Sequence, residues 1–426
     1  MSQRIVIVGG VAGGATAAAK ARRDDETARI TVFERGPYVS FANCGLPYYI
    51  GREIDQRNRL LLMTPESFYE KYRIDVQVGC DVLRIDREAR QVLVRCADGR
   101  ERAEPYDRLI LSQGAEPLRP PIEGIEQEQV FTLRSIPDMD RIDAFLDERQ
   151  PRHAVVLGGG FIGLEMAEAF HLRGLSVQVV ERAPHILPML DDDIAAELSA
   201  GLDRDAFTIN AAAGVVAIGT DWVRLDDGRE LPADLVLVSA GVRPEVTLAK
   251  EAGLRIGATG AVQVNARLET SDPRIAAIGD AAEVTHRITG GRTRIPLAGP
   301  ANRQGRIAGA NAVGGHLTYG GAQGTAIVRI FESVVGSTGL STRQAEEAGF
   351  SVVTSMTRDA NHAGYYPGAE MVISKLIIDG ASGRLLGAQV LGHDGVDKRL
   401  DVYATAIYAG LTVDNLGELD LAYAPP

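Results

Sequence analysis

Cysteine is scarce in this chain of 426 residues: there are three, and no other lies near Cys44 in the stretch SFANCGLPYY. So few exclude a disulfide-rich secreted scaffold. No apolar run is long enough to span a bilayer, and MSQRIVIVGG passes straight into an apolar strand instead of a basic region followed by a signal core. The expected compartment is the cytoplasm. Positive charge is also short, since the formal net charge is −12, and this argues against nucleic acid as a general partner. A small anionic ligand held by a few local cations is still compatible with that balance. What remains is 45% hydrophobic and 24% charged, the composition of an ordinary globular protein with a large core, and the length suggests about three domains.

The first thirty-five residues read as one folding unit. RIVIVGG is a short β-branched strand, GGVAGGATAAAKARR a glycine-rich turn opening an alanine-rich helix, and RITVFER a second strand. In that order Gly9, Gly13 and Gly14 let the backbone approach a pyrophosphate, and the helix start offers unpaired N–H groups. Glu34 stands where a carboxylate accepts from an adenosine ribose. The usual second glycine is replaced by Val11. Such a loop alone also fits a tight packing turn between strand and helix.

A repeat strengthens the nucleotide reading. HAVVLGGGFIGLEMAEAFHLRGLSVQVVER, residues 153–182, gives the same order with the full glycine pattern at Gly158, Gly160 and Gly163, and Glu181 closes the second strand. Two dinucleotide folds in one chain imply two dinucleotides, one retained and one exchanging, with hydride passing between a flavin and a nicotinamide. Glu181 favours NADH because its charge repels a 2′-phosphate, while Arg182 softens that repulsion and leaves room for NADPH.

YDRLILSQGAEPLRPP reads as a strand ending at Gly114 and the crossover out of the first domain, and DLVLVSAGVRPE as the return. IAAIGDAAEV places Gly279 and Asp280 at the carboxyl edge of a sheet, where open α/β folds bind ligands. From local sequence a helix-capping aspartate explains Asp280 equally well.

With these motifs in order, the chain resembles the FAD-dependent pyridine nucleotide-disulfide oxidoreductases along essentially its whole length. SFANCGLPYYIG, PLAGPANRQGR, NHAGYYPGA and AYAPP resemble the coenzyme A-disulfide reductase and NADH-dependent persulfide reductase branch. The implied fold is α/β, with two Rossmann-like dinucleotide-binding domains, for FAD and NAD(P)H, plus an α+β C-terminal dimerisation domain. The expected boundaries are 1–117 and 246–324 for the split FAD domain, 118–245 for the NAD(P)H domain and 325–426 for dimerisation.

Relatives that reduce glutathione or lipoamide disulfides use a C-x-x-x-x-C pair, but position 49 here is Tyr49. Cys44 must then work alone, which suits attack by its thiolate on a bound disulfide or persulfide to form a mixed disulfide. Cys80 and Cys96, in strand-like surroundings, read as buried small hydrophobes.

The resemblance implies FAD contacts at Gly9, Val11, Gly13, Gly14, Glu34, Arg35, Ser112, Gly114, Gly279 and Asp280, with Leu297 and Ala298 at a helix start under the flavin. It implies nicotinamide-dinucleotide contacts at Gly158, Gly160, Phe161, Ile162, Gly163, Glu165, Glu181 and Arg182. Phe161 takes the position of an aromatic gate and Glu165 that of a carboxylate beside the nicotinamide; a packing aromatic and a surface glutamate are the plainer alternatives. Coenzyme A is expected along Thr16, Lys20, Arg23, Ser40, Asn43, Asn302 and Arg303. Lys20 and Arg23 share a helix face and could grip phosphates, or simply face solvent. Tyr365 and Tyr423 are the expected proton donors to the leaving thiol, from the other subunit of a homodimer, though interfaces favour tyrosine in any case. No metal site is assigned.

Asn302 replaces a histidine found in some relatives, and the sequence stops at YAPP, where some relatives carry on into a rhodanese domain. Besides disulfide or persulfide reduction, two other readings stand. One is an NADH oxidase or peroxidase cycling Cys44 through a sulfenate, although GGVAGG lacks the histidine those relatives carry there. The other is a non-catalytic flavoprotein that senses redox state through Cys44.

Overall fold

The computed structural model describes residues 2–202 and 207–425. The chain divides into two compact units: Met1–Leu46, Asp55–Glu116 and Val242–Ala322 form the first, and Pro47–Ile54, Pro117–Gly241 and Gln323–Pro426 the second. Among the described residues no helix is long and apolar enough to cross a membrane.

The first unit is built on a parallel sheet ordered Ile275–Ala277, Arg108–Leu111, Arg4–Val8, Arg29–Glu34, Asp75–Val78. Its middle strand reads as a continuous apolar run because both faces are covered: Ile5, Val6, Ile7 and Val8 are all buried. Helix Ala12–Asp24 packs closely along helix Ala298–Ala312. Small residues permit the approach, since a Cβ at Gly305 would fall 2.4 Å from the Gly13 carbonyl oxygen and one at Gly309 would fall 2.3 Å from that of Ala17. A three-stranded antiparallel sheet, Cys80–Asp86, Gln91–Cys96 and Glu101–Pro105, completes the part of this unit that bears on the site.

The second unit carries another parallel sheet, ordered Phe207–Asn210, Ser176–Val180, His153–Leu157, Leu235–Val238, Val130–Phe131. Both parallel sheets, with their strand–glycine turn–helix entries, are Rossmann-like. The same unit contains an antiparallel sheet ordered Ala326–Ile330, Ser333–Gly339, Leu385–Gly392, Met371–Asp379, Val352–Ala360. Residues 352–360 form its edge, largely exposed, whereas Leu385–Gly392 is buried throughout.

Within this unit an ion cluster, buried at Lys375 and Asp191 and exposed at Asp193, ties the second parallel-sheet segment to the C-terminal sheet. Lys375 Nζ lies 2.9 Å from Asp191 Oδ2 and 2.7 Å from Asp193 Oδ2. The Asp191 carboxylate also accepts from the Thr342 hydroxyl at 2.6 Å, and the Asp191 N–H donates to Gln389 Oε1 at 2.9 Å. Burial opposes the charge on Asp191, but hydrogen bonds from Lys375 and Thr342 outweigh it and hold the carboxyl below its ordinary range.

Candidate active site

The two glycine turns are structural copies. A Cβ at Gly9 would fall 2.3 Å from the Ser112 carbonyl oxygen, and one at Gly158 would fall 2.3 Å from that of Ser239. Both glycines have positive φ, +94° and +110°. A Cβ at Gly14 would meet the Gly9 carbonyl at 1.9 Å, as one at Gly163 would meet that of Gly158 at 1.9 Å. These four glycines are therefore required by the protein's own packing.

Gly160 is different. Nothing lies within 4 Å of where its Cβ would be, and its φ of −83° suits any residue. Among the described residues no contact requires glycine there, which fits a position kept open for close approach of a ligand to the backbone. Val11 occupies the matching place in the first turn, at the N-cap of its helix.

The acidic residues repeat the same geometry. Glu34 accepts from the N–H of Gly10 at 2.8 Å and from that of Gly36 at 2.8 Å. Glu181 accepts from Gly159 at 2.7 Å and from Ala183 at 2.7 Å. Each carboxylate is thereby aimed beside its glycine turn, and each oxygen keeps a lone pair for a ribose hydroxyl.

Three helix starts are open to an anion or an electron-rich ring. Helices Ala12–Asp24, Phe161–Leu172 and Ala298–Ala312 have no side-chain cap and no acidic residue in the first turn. Their orphan N–H groups and positive dipole ends fit two pyrophosphates and a flavin edge. Leu297 is the N-cap of the third helix, and Ala298 and Gly299 at its start are exposed. Gly279 and Asp280 form a 3-10 turn, where Gly279 donates to the buried Gln304 side chain at 2.7 Å. In the same unit Ser112 donates its N–H to Val8 at 2.8 Å, Gly114 has φ +75° and Arg35 pairs with Glu116 at 2.6 Å. The residues present fit a dinucleotide in each turn. Among the described residues, no cluster of His, Cys, Asp or Glu could hold a metal ion.

Cys44 is exposed and belongs to no disulfide. Its loop is fastened to the first glycine turn: Ser40, at φ +47°, donates its N–H to the Gly10 carbonyl at 2.9 Å, and a Cβ on Gly10 would press on Val39 Cγ2 at 2.7 Å. Asn43–Gly45 then forms a 3-10 turn leading into helix Leu46–Ile50. Of the expected coenzyme A contacts, Thr16 and Asn302 are brought together, the Thr16 hydroxyl donating to Asn302 Oδ1 at 2.9 Å. Lys20 is paired with Asp24 at 2.7 Å, while Asn43, Arg23 and Arg303 are exposed.

In the second unit Phe161 is half-buried at the first position of its helix, and Ile162 and Arg182 are exposed. Glu165 one turn on is held by Tyr48, whose hydroxyl donates to Oε1 at 3.1 Å. Burial raises the Glu165 carboxyl above its ordinary value, the Tyr48 hydrogen bond works against that rise, and Glu168 adds to it. Tyr365 and Tyr423 are 78% and 76% exposed and meet in a hydrogen bond between their hydroxyls, which raises the Tyr365 phenol above its ordinary value.

Two features escaped the sequence reading. Tyr48 was visible only as half of a YY doublet. Cys80 and Cys96 are not separate packing residues as expected but are joined in a disulfide, being direct partners in the register of strands Cys80–Asp86 and Gln91–Cys96. The signal available was a pair of cysteines at the ends of two neighbouring strands, which read as a hairpin only once the register is known.

Residues 3–305 match the family described as pyridine nucleotide-disulphide oxidoreductase, and residues 325–426 match that family's dimerisation domain. The chain is 34% identical over 435 residues to the NAD(P)H coenzyme A polysulfide/persulfide reductase of Pyrococcus horikoshii, covering 100% of this chain and 95% of that protein. It is 34% identical to the coenzyme A disulfide reductase of Staphylococcus haemolyticus, with 100% and 96% covered. The crystal structure of reduced Bacillus anthracis CoADR-RHD matches with a TM-score of 0.98 at 45% identity, over 100% of this chain and 77% of that one. From two copied glycine turns through to the C-terminal sheet, this chain belongs to the pyridine nucleotide-disulphide oxidoreductase family.

Proposed function

We propose that the protein uses NAD(P)H, with NADH preferred, to reduce a coenzyme A disulfide or persulfide through FAD and a single cysteine, Cys44. The observation that carries this is an exposed thiol in no disulfide, on a loop fastened to the first glycine turn, with no cysteine at the position of Tyr49. Segments 1–117 and 246–324 hold the FAD, 118–245 the NAD(P)H, and 325–426 make the dimer. FAD bound in the first turn would relay two electrons from NAD(P)H to sulfur.

Cys44 acts as the nucleophile: its thiolate attacks one sulfur of the substrate, a Cys44–S bond forms, and the other half leaves as a thiolate. Thr16, Lys20, Arg23, Ser40, Asn43, Asn302 and Arg303 orient the coenzyme A carrier. Tyr365 and Tyr423 supply the proton to the departing thiolate, each pair serving Cys44 of the other subunit in a homodimer. Their hydrogen-bonded pairing brings two phenol hydroxyls together, and their exposure supports a place at an interface.

The test is steady-state oxidation of NADH with coenzyme A disulfide, coenzyme A persulfide, peroxide or air as acceptor. Turnover should require one of the two coenzyme A species, and Cys44→Ser should lose it while retaining FAD and its reduction by NADH. Turnover with peroxide or air alone would instead favour the oxidase reading, and no turnover with any acceptor the sensor reading. Mixed dimers of Cys44→Ser with Tyr365→Phe/Tyr423→Phe chains should regain one working site if it is shared between subunits.

A further inference from the structure

The Cys80–Cys96 pair lies outside the chemistry of Cys44, and its two ends have unlike surroundings. Cys80 is buried at 5% exposure, whereas Cys96 is half-buried and followed by the exposed turn 97–100. The Arg102 guanidinium reaches Cys96 Sγ at 3.9 Å, hydrogen-bonds the Gln77 side chain and lies 5.8 Å over the Phe33 ring. A cation held beside the half-buried Cys96 sulfur favours a thiolate there, although Glu104 lies 3.9 Å from the same guanidinium.

The buried end of the pair leads to the first nucleotide turn. Gly79, the residue before Cys80, donates its N–H to the Gly36 carbonyl at 3.0 Å, and Gly36 donates its own N–H to Glu34 Oε1 at 2.8 Å. Val78 is the register partner of Glu34 in the parallel sheet. The disulfide therefore anchors the strand end against which the Glu34 turn is built.

We propose that Cys80–Cys96 is a second redox-active site, opened by low-molecular-weight thiols at Cys96, whose closed form fixes the Glu34 turn and so tightens the grip of the first dinucleotide site. A thiolate attacks Cys96 Sγ, the Cys80–Cys96 bond breaks, and Cys80 leaves and takes up a proton. A second thiolate attacks the external sulfur of the mixed disulfide, releasing Cys96 as a thiolate beside Arg102 and the two external thiols as their disulfide. Two electrons pass from the thiols to the protein pair, and the same disulfide run in reverse closes it. Only the identity of the ligand, FAD, rests on the reading given above; the cysteine chemistry does not.

The experiment uses the full chain carrying Cys44→Ser, so that alkylation counts only this pair, and treats it with reduced or oxidised dithiothreitol. Mass spectrometry after alkylation should find two added groups only in the reduced sample; two added groups without reductant would overturn the proposal. Reduction should speed FAD release several-fold and accelerate hydrogen exchange at residues 34–38 and 77–80. Cys96→Ser should release FAD at the reduced rate under both conditions. Exchange and FAD release that ignore the state of the pair would also overturn it. Should the protein hold no FAD at all, the flavin reading fails while the alkylation and exchange results still decide the proposal.

Discussion

Tyr48 donates its hydroxyl to Glu165 Oε1 at 3.1 Å, joining the short helix that follows Cys44 to the second turn of the helix that follows Gly160. The two are 117 residues apart in sequence. Burial and the Glu165 charge together raise the Tyr48 phenol, so the tyrosine keeps its proton and remains a donor. The groups acting electrostatically on the pair are Glu168 on the Phe161–Leu172 helix and Arg329 on strand Ala326–Ile330, the latter bonded to Glu53 at 2.6 Å.

Because this hydrogen bond favours the charged form of Glu165, Tyr48→Phe removes the interaction that opposes the effect of burial. The Glu165 carboxyl should then hold its proton to a higher pH than in the wild type, followed by carboxyl NMR with Glu165→Gln as the reference. The cost in stability should be about 1.5–3 kcal/mol, as for a hydrogen bond to a carboxylate. A titration unchanged by the substitution would show that the bond does not tune the carboxylate.

Gly160 and Gly163 should part company on substitution. Gly163→Ala drives a Cβ to 1.9 Å from the Gly158 carbonyl and should destabilise the unit by about 1–3 kcal/mol in thermal or urea unfolding. Gly160→Ala meets nothing within 4 Å and should leave stability within about 0.5 kcal/mol while weakening NADH binding. Unimpaired NADH binding in Gly160→Ala would mean that the open position is not the pyrophosphate approach.

Glu181 should set the choice of nicotinamide cofactor. In the wild type kcat/KM should be higher with NADH than with NADPH. Glu181→Ala should cost NADH roughly tenfold or more, the value of a charge-assisted hydrogen bond, and narrow the gap by removing repulsion of the 2′-phosphate. Equal efficiency with both cofactors before any substitution would turn attention to Arg182.

Lys375→Met would leave Asp191, 9% exposed at its side chain, without its main countercharge. Loss of one partner from a buried pair typically costs about 3–5 kcal/mol. The folded-state pKa of Asp191 is lowered from 3.8, so its contribution is complete above that value and disappears as pH falls through the lowered one. The stability gap between wild type and variant should therefore be widest near neutrality and shrink as the solution is acidified and Asp191 takes up its proton. A gap independent of pH would assign the loss to packing alone.

Local pattern determined much of this protein. A β-branched strand, a glycine turn, a helix and an acidic strand end occur twice, and each is a short-range signal, because periodicity and glycine placement act within one strand–turn–helix unit. Gly9, Gly158, Gly163 and Glu181 were legible in their local geometry for that reason, as was a Cys44 outside any disulfide, since position 49 is Tyr49. What only the tertiary structure decided depends on register and long-range packing. Cys80 and Cys96 pair because two strands align them opposite one another, and Tyr48 reaches Glu165 across 117 residues of chain. Tyr365 meets Tyr423, and Lys375 is neutralised by carboxylates from a segment well before it. Nothing in the residues flanking these positions encodes the partner, since each contact is stabilised by desolvation and hydrogen bonding that exist only after the separate segments have packed.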